Sequence, residues 1–161
     1  MPFPTGNECK LYRLSTGTRA SWGSKTDGVA TASAPASLDE VPNVQDLTIN
    51  LGKSEAEFSS RASAFKLTRG TLIETSVEFA IPFESSNADY EAFRKAFLTN
   101  TVIACAVLDG DKATTGTTGL WADFEVIDFT HEQPLEEGVM VNVTIKPAPS
   151  AVAPEWVKVG S

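Results

Sequence analysis

The sequence predicts a mainly β fold: a β-sandwich or barrel with one flanking α-helix. Several segments alternate apolar and polar residues with the two-residue period of a strand, and one segment has the spacing of an amphipathic helix. The chain of 161 residues is most simply a single domain, residues 1–161. A chain of that length buries roughly 70% of the surface that it exposes when unfolded.

The first strand is predicted at KLYRL, Lys10 to Leu14, and a long connection follows it. This connection, at about residues 15–43, is rich in Ser, Thr, Ala and Gly and has almost no period, which is typical of a loop or an insertion. Trp22 lies within it. We expect this side chain to anchor the loop to the body; the alternative is contact with a partner.

Two alternating segments come next, separated by a basic stretch. VQDLTINL places Leu47, Ile49 and Leu51 on one face, and TLIETSVEFAIPF alternates throughout. Between them, SEAEFSS indicates the return strand of a hairpin. The basic stretch, SSRASAFKLTRGTL, contains no acid although the chain as a whole is acidic.

The segment SSNADYEAFRKAFLTN has helical spacing. Tyr90, Phe93 and Phe97 recur at positions i, i+3 and i+7, and Ser86 or Asn87 can accept a hydrogen bond from the first helical turn. We therefore expect one helix of about three turns, with its aromatic stripe packed in the core.

Strands resume after the helix. TVIACAVLD is almost entirely apolar, as in a strand covered on both faces, whereas LWADFEVIDF and GVMVNVTIK alternate. The tail, at about residues 147–161, is rich in proline, which has no backbone N–H. We expect this tail to be extended and not to pair as a central strand, with Trp156 and Val157 holding it to the body or to a neighbour.

Composition limits the possible functions. The formal net charge is -8, with 21 acids and 13 bases, which argues against tight, direct binding to nucleic acid. No apolar run approaches the ~20 residues of a membrane-spanning helix, and MPFPTGNECK lacks the features of a secretory signal. Without such a signal, Cys9 and Cys105 are expected to be reduced thiols.

The sequence shows no constellation of catalytic residues, so we expect no enzymatic activity, no metal and no cofactor. The single histidine, His131, stands beside Glu132 but has no evident nucleophile, and we expect it on the surface near a strand end. LDGDKATTG departs from a calcium loop because Ala113 occupies the position of a third oxygen ligand, and a turn is expected there.

Taken together, the segments resemble the major tail tube proteins of long-tailed bacteriophages. The resemblance covers most of the chain from Cys9 onward, and the motifs that carry it are structural and not catalytic. It is carried by KLYRL, VPNVQDLTINLGKSEAEFSSR, GTLIETSVEF, DYEAFRKAFLTNTVIACAVLDGD, GLWADFEVIDFTHEQPLEEGVMVNVTIKP and APEWVKV.

The resemblance implies a structural virion protein that self-assembles, with six copies joining their sheets into a ring. Stacked rings would form the tail tube through which DNA passes to the host without specific binding. The implied partners are further copies of the chain and the tape measure, tail tip and terminator proteins, with no membrane. The implied localisation is the virion tail, after assembly in the host cytoplasm. An acidic surface suits such a conduit, and the candidate lumen positions are Thr48, Asn50, Glu74, Glu78, Asn142 and Thr144.

The resemblance also gives the basic stretch a use. It implies an assembly loop at about residues 59–70 that reaches a neighbouring subunit or ring; the alternative is an ordinary hairpin packed on its own domain. Phe65 would be the apolar anchor and three cations would meet an acidic patch on the next copy. The candidate cations are Arg61, Lys66 and Arg69, and the candidate acids are Glu132, Glu136 and Glu137.

Three other functions are compatible with the sequence. A tube subunit of a secretion or contractile injection system, or of a gene-transfer particle, would share the architecture. A monomeric β-sandwich binding module is a remote alternative, since its ligand platform would need clustered aromatics and Trp22, Trp121 and Trp156 are scattered along the chain. A hydrolase is the weakest alternative.

Overall fold

The computed structural model describes residues 9–15, 17–42, 44–59, 61, 64–83, 87–132 and 138–160. This described part is mainly β with one flanking helix, as predicted. Its elements are β1 (Lys10–Leu14), β2 (Ser24–Thr26), β3 (Val29–Ala32), β4 (Leu38–Glu40), β5 (Gln45–Phe58), β6 (Leu67–Pro82), α1 (Ala88–Thr99), β7 (Val102–Leu108), β8 (Thr118–Glu132), β9 (Met140–Pro147) and β10 (Glu155–Val159).

The strands form one hydrogen-bonded sheet of two parts, which we call the first sheet and the second sheet and which join at the long strand β8. Its first half pairs with β7 on one edge and β10 on the other, within the order β2-β3-β10-β8-β7-β1-β4. Its second half pairs with β9 in the antiparallel series β5-β6-β9-β8. A bulge between Val126 and Asp128 lies near the boundary between the two halves of β8. Bulges bend the strands that carry them. The two sheets share one core between them.

The main core is built from the inward positions of the alternating strands. β6 and β9 contribute Val77, Phe79 and Val143, and the first sheet contributes residues such as Phe124 from β8. Phe93 of the helix is completely buried, and its ring meets that of Phe79 edge to face with 5.2 Å between the centroids. The helix therefore closes one side of the core.

β7 is covered on both faces, which confirms the prediction from its apolar sequence. Cys105 and Val107 point into the main core, while Ala106 belongs to a second core on the opposite face. Gly119 of β8 lies against this strand so closely that a Cβ atom there would be 1.9 Å from the carbonyl oxygen of Val107. A glycine is needed at this position because no side chain fits.

The helix begins and ends as the sequence predicts. Asn87 is the N-cap, and its Oδ1 accepts hydrogen bonds from the backbone N–H groups of Asp89 and Tyr90. Asn100 ends the helix in the left-handed conformation. The aromatic stripe packs inward, and the ring of Phe97 stacks on that of Phe129.

The described part of residues 15–43 contains three strands, so the prediction of a loop was wrong there. β4 pairs with β1, and β3 pairs with both β2 and β10. The strands are too short to show a period, and their buried side chains include small ones such as Ala30. Trp22 is buried, and its Nε1 donates to the carbonyl oxygens of Ala32 and Lys158. It anchors this segment to the body, as expected.

The tail also differs from its prediction. β10 lies between β3 and β8 and is a central strand of the first sheet. The last proline, Pro154, precedes the strand, so no N–H is missing within it. Val157 is completely buried and fixes the strand to the second core.

A buried arginine ties the segment before β2 to the tail before β10. The side chain of Arg19 is 0% exposed, and its Nε donates to Oδ2 of Asp123 over 3.0 Å. Its Nη2 donates to the carbonyl oxygens of Val152 and Ala153, and its Nη1 lies 3.9 Å from Oε1 of Glu155. A buried cation held in this way fixes two distant parts of the chain to each other.

Candidate assembly surfaces

The second sheet is open at both edges. Within the described residues β5 pairs with β6 and with no other strand, so its outer edge carries backbone groups without ladder partners. At the opposite edge, β7 pairs with β8 only as far as Glu125, and no described strand continues along that edge from Val126 to Glu132. We call the four strands β5, β6, β9 and the second half of β8 the open sheet.

One face of the open sheet packs on the main core and the other is polar. Thr48 pairs with Glu78, Glu78 pairs with Thr144, and Asn50 pairs with Ser76, so these side chains share the polar face. Glu74 and Asn142 lie on the same face, because each is an even number of residues from Glu78 or Thr144 along its strand. The structure thus brings together all six candidate lumen positions, of which the last two are half-buried: Thr48, Asn50, Glu74, Glu78, Asn142 and Thr144.

Sequence reasoning missed what β8 adds to this polar face. Glu125 pairs with Lys146, and Asp128 pairs with Thr144. The bulge inserts one residue after Val126 and reverses the alternation, which hides Asp128 from a strict two-residue count. The carboxylates of Glu74, Glu78, Glu125 and Asp128 lie on this face together with the ammonium group of Lys146, which makes the polar face acidic.

β5 and β6 continue beyond the open sheet as a two-stranded arm. β6 pairs with β9 from Val77 to Pro82, whereas residues 67–76 pair with β5 alone. The arm runs outward to the cross-strand pair of Phe58 and Leu67. An isolated two-stranded hairpin is marginal in water, so an arm of this length indicates a surface that a partner covers.

The predicted loop from residue 59 to residue 70 is shorter in the structure. β6 already begins at Leu67, and β5 continues without a break through SEAEF, so this segment is not the separate return strand that its pattern predicts. Glu55 pairs with Gly70 and Phe58 pairs with Leu67. The basic stretch is in this way paired with the acidic end of β5, a relationship that the pattern of either segment alone does not show.

Exposed apolar side chains are concentrated on the arm. Phe65 is 76% exposed and Leu72 is 74% exposed. A two-stranded arm cannot bury both of its faces, so these side chains remain in water unless another chain covers them. The large apolar side chains exposed on the arm are Leu51, Phe58, Phe65, Leu67, Leu72 and Ile73.

The cations at the end of the arm differ in whether they have a partner within their own chain. Nζ of Lys66 lies 2.6 Å from Oε2 of Glu57 on the same arm, so this cation already has a partner within its own chain. Arg61 and Arg69 make no ion pair within the described residues. Of their predicted counterparts, Glu136 and Glu137 and the side chain of Glu132 lie outside the described residues.

A groove of about 970 Å³ lies between the base of the arm and the body. Two of its residues, Thr75 and Glu155, carry a buried side-chain oxygen that has no hydrogen-bond partner in the described part of the chain. Such oxygens are uncommon, because buried acceptors nearly always have donors. The apolar residues that line the groove are Leu51, Ile73, Leu120, Pro147, Pro154 and Trp156.

The described residues show little that resembles catalytic chemistry. His131 is exposed near the end of β8, and its Nε2 lies 3.2 Å from the hydroxyl oxygen of Tyr90. Asp111 caps a turn by accepting the N–H of Ala113, and this hydrogen bond lowers the pKa of the carboxyl group. No group of metal-binding side chains occurs in the described ranges, and none of the helices found there has the length and apolar character to cross a membrane.

These surfaces define a class of protein: a β-sandwich that carries an open, acidic sheet and an apolar arm, both suited to association with other chains. Comparison with solved structures places the fold among tail tube proteins. A protein of the virion of a native gene transfer agent particle has a TM-score of 0.65 at 12% sequence identity, over 94% of this chain and 97% of that chain.

Two further solved structures agree. The SPP1 tail tube has a TM-score of 0.65 at 13% identity, over 95% of this chain and 78% of that chain. A protein of the anti-feeding prophage baseplate has a TM-score of 0.52 at 6% identity, over 90% of this chain and 92% of that chain. Neither a family model nor a curated protein matches the sequence. The tail-tube fold that the sequence resemblance implied is therefore confirmed by structure.

Proposed function

We propose that this chain is a structural subunit of a tail tube, in which copies associate edge to edge into rings and the rings stack around a channel for DNA. The observation that carries this function is the open sheet, which has one core face, one acidic polar face and two edges that no described strand covers. The subunit would act in the tail of a virion, with other tail proteins at the ends of the tube.

The strand directions of the open sheet fit ring closure. Its four strands alternate in direction, so β5 and β8 at its two edges run in opposite directions. When copies are related by rotation, β5 of one copy would lie beside β8 of the next in antiparallel orientation. This junction would pair the backbone groups that both edges leave open and remove a risk of aggregation.

Six copies per ring are proposed. A tail of an empty gene transfer agent particle, refined with C6 symmetry, contains a chain with a TM-score of 0.63 to this one at 12% identity, over 91% of this chain and 95% of that chain. Six open sheets would then form one continuous barrel with the polar face inside. An acidic lumen repels DNA phosphates and lets the duplex slide, whereas a basic lumen would retain it.

A tube subunit of a gene-transfer particle or of a contractile injection system is the second candidate. The fold likeness to the gene transfer agent protein and to the anti-feeding prophage baseplate protein favours it. Both candidates would use the same ring, and the cargo would distinguish them: particles purified from the producing cells would contain a phage genome in the first case and no phage genome in the second.

Charge reversal at the proposed junction tests the ring. Thr48 and Asn50 are uncharged and lie on the polar face beside the edge of β5, whereas β8 presents Glu125 and Asp128 on that face. Replacing both β5 residues by Asp would place like charges across the junction and weaken assembly, since opposed like charges destabilise a strand pair. Replacing both by Lys is the matched control and should preserve assembly.

The readout is particle mass by light scattering over a concentration series, with circular dichroism to show that each variant is folded. Rings that form equally well from the Asp and Lys variants would contradict a junction between β5 and β8. A wild-type chain that stays monomeric at every concentration, even when seeded with preformed tail tips, would contradict the tail tube function itself.

A further inference from the structure

The main core is only half-covered at both edges of the open sheet. On β5, Leu47 and Ile49 pack against this core but are partly exposed. At the opposite edge, Phe97 of the helix and Phe129 of β8 are partly exposed in the same way. Incomplete burial of core side chains at two opposite edges indicates a surface that another chain covers.

The helix lies along the second half of β8 and runs in the opposite direction. Tyr90, near the start of the helix, contacts His131 near the end of the strand, whereas Phe97, near the end of the helix, stacks on Phe129. After the helix the chain enters β7, which pairs with β8 only as far as Glu125. The helix therefore covers the core side of that edge of β8 which no described strand covers.

One flank of the helix overhangs this edge. Phe93 faces β6 and Phe97 faces β8, so a rotation around the helix from Phe93 to Phe97 leads towards the open edge. At about 100° per residue, Arg94 and Leu98 lie roughly 100° and 140° from Phe93 in the same sense of rotation. Leu98 is 69% exposed. We call Arg94, Phe97 and Leu98 the helix flank.

On the basis of the ring assembly above, we propose that the helix flank of one copy packs on the core side of β5 of the next copy. Rotation about the ring axis keeps the core sides of neighbouring sheets on one side of the barrel, so Leu47 and Ile49 of the neighbour would lie on the side of the helix. Side chains on one face of adjacent strands are roughly 5 Å apart, which would place these two residues against Phe129 and under Leu98. The main cores of the copies would then join into one apolar layer around the barrel.

The order of charges along the two elements fits this contact. β5 of the neighbour would run parallel to the helix, because both are antiparallel to β8. Arg94 precedes Leu98 on the helix flank, as Asp46 precedes Ile49 on β5. Arg94 and Asp46 are exposed, and neither forms an ion pair within the described residues. An ion pair between them would fix the register of the junction.

The first test measures the concentration at which half of the chains are assembled. Leu98→Asp should raise this concentration at least tenfold, because it places a charge in the apolar layer. Its side chain is mostly exposed in the single chain, so circular dichroism should show a folded variant. The matched control is Thr99→Asp, which adds the same charge at an exposed position about 100° further around the helix, and it should change the concentration less than twofold.

A charge exchange tests the register. Arg94→Asp should weaken assembly at least threefold, because it places two carboxylates opposite each other, and adding Asp46→Lys to it should restore most of the loss. Asp46 has a positive φ of 54°, which strains most side chains. Asp46→Lys is therefore also measured alone, so that a backbone effect is separated from the charge effect.

Cross-linking between two differently tagged chains tests the contact directly. Both chains carry Cys9→Ser; one also carries Leu98→Cys and the other Ile49→Cys. The two are mixed, assembled and treated with a short bismaleimide, and we expect a covalent heterodimer from most of the assembled chains. The matched control pairs Leu98→Cys with Asp39→Cys, an exposed position on β4 at the far end of the first sheet, and should give no heterodimer.

The outcomes separate the helix contact from the ring. Rings that form normally from Leu98→Asp, or assembled rings in which Leu98→Cys does not cross-link to Ile49→Cys, would overturn the helix contact and leave the edge-to-edge ring in place. Cross-linking together with weakened assembly of Leu98→Asp would support both. A wild-type chain that never assembles would overturn both.

Discussion

Phe58 and Leu67 are direct cross-strand partners at the end of the arm, and each side chain is 55% exposed. A folded chain gains little by ordering an apolar pair that remains in water, since the favourable term in burial scales with the area removed from water. The pair therefore contributes little to the stability of the monomer.

The stability of the monomer should accordingly be insensitive to this pair. We expect Phe58→Ala to change the free energy of unfolding by less than about 0.5 kcal/mol, because the Phe58 side chain lies on the surface. Phe79→Ala in the main core should lower it by about 3–5 kcal/mol, since it leaves a cavity. Urea unfolding of both variants under conditions that keep them monomeric checks this contrast, and similar losses in the two would contradict the exposed position of Phe58.

The buried Arg19 should be among the most sensitive positions outside the apolar core. Arg19→Ala would leave Asp123 and Glu155 without their cation, and breaking a buried pair in this way costs about 3–5 kcal/mol. Lys25→Ala, an exposed cation nearby in sequence, should cost less than about 0.5 kcal/mol. The comparison uses urea unfolding, and a loss below about 1 kcal/mol for Arg19→Ala would show that the network does not hold the tail.

The two thiols should differ in reactivity. Cys9 is exposed and Cys105 is buried, and burial raises the pKa of the Cys105 thiol from 9.0 to about 12. At pH 8 we expect a thiol reagent to label Cys9 in the native protein and both cysteines in denaturant. Rapid labelling of Cys105 in the native state would contradict its place in the main core.

The same pKa shift makes stability depend on pH. Between pH 9 and about 12 the unfolded chain ionises Cys105 while the folded chain keeps it protonated. The unfolded state then binds fewer protons, so the free energy of unfolding falls as the pH rises, by up to about 1.4 kcal/mol per pH unit from this group. The free energy of unfolding of Cys105→Ala should fall less steeply with pH than that of the wild type over this window. Equal slopes would contradict the pKa shift of Cys105.

Charge on the polar face should control whether assembled tubes retain DNA. Wild-type tubes should bind duplex DNA weakly. Tubes of Glu78→Lys combined with Asp128→Lys should retain it, with an affinity that falls steeply as salt increases, because the bound phosphates release counterions. Glu91→Lys combined with Lys95→Glu, on the exposed side of the helix, keeps the net charge of the wild type and should not retain DNA.

Retention is measured by co-sedimentation of labelled DNA with tubes at increasing salt. Equal binding by the polar-face variant and the helix control would show that the polar face does not line the channel.

The sequence predicted those elements whose own pattern decides their structure. The helix follows from Tyr90, Phe93 and Phe97 together with the cap at Asn87, and β7 follows from its continuous apolar run. Local spacing suffices in these cases because the residues that each element buries recur within one continuous segment of the sequence. The polar face was also predicted at the positions that obey strict alternation.

What the sequence did not show depends on contacts between distant segments. β3 is a strand because the tail pairs with it, and neither of the two has enough residues to reveal a period. Asp128 reached the polar face through a bulge, and the arm formed because Glu55 to Phe58 pair with the start of β6. The groove involves residues from five strands, and no single segment of the sequence indicates it.

The central claim is tested most directly by electron cryo-microscopy of the purified wild-type protein at increasing concentration. We predict rings of six copies with a central hole, in which β5 of each copy runs antiparallel to the second half of β8 of the next copy and the polar face lines the hole. Rings whose hole is lined by the helix, or particles that remain monomers at every concentration with or without a tail-tip seed, would contradict this account.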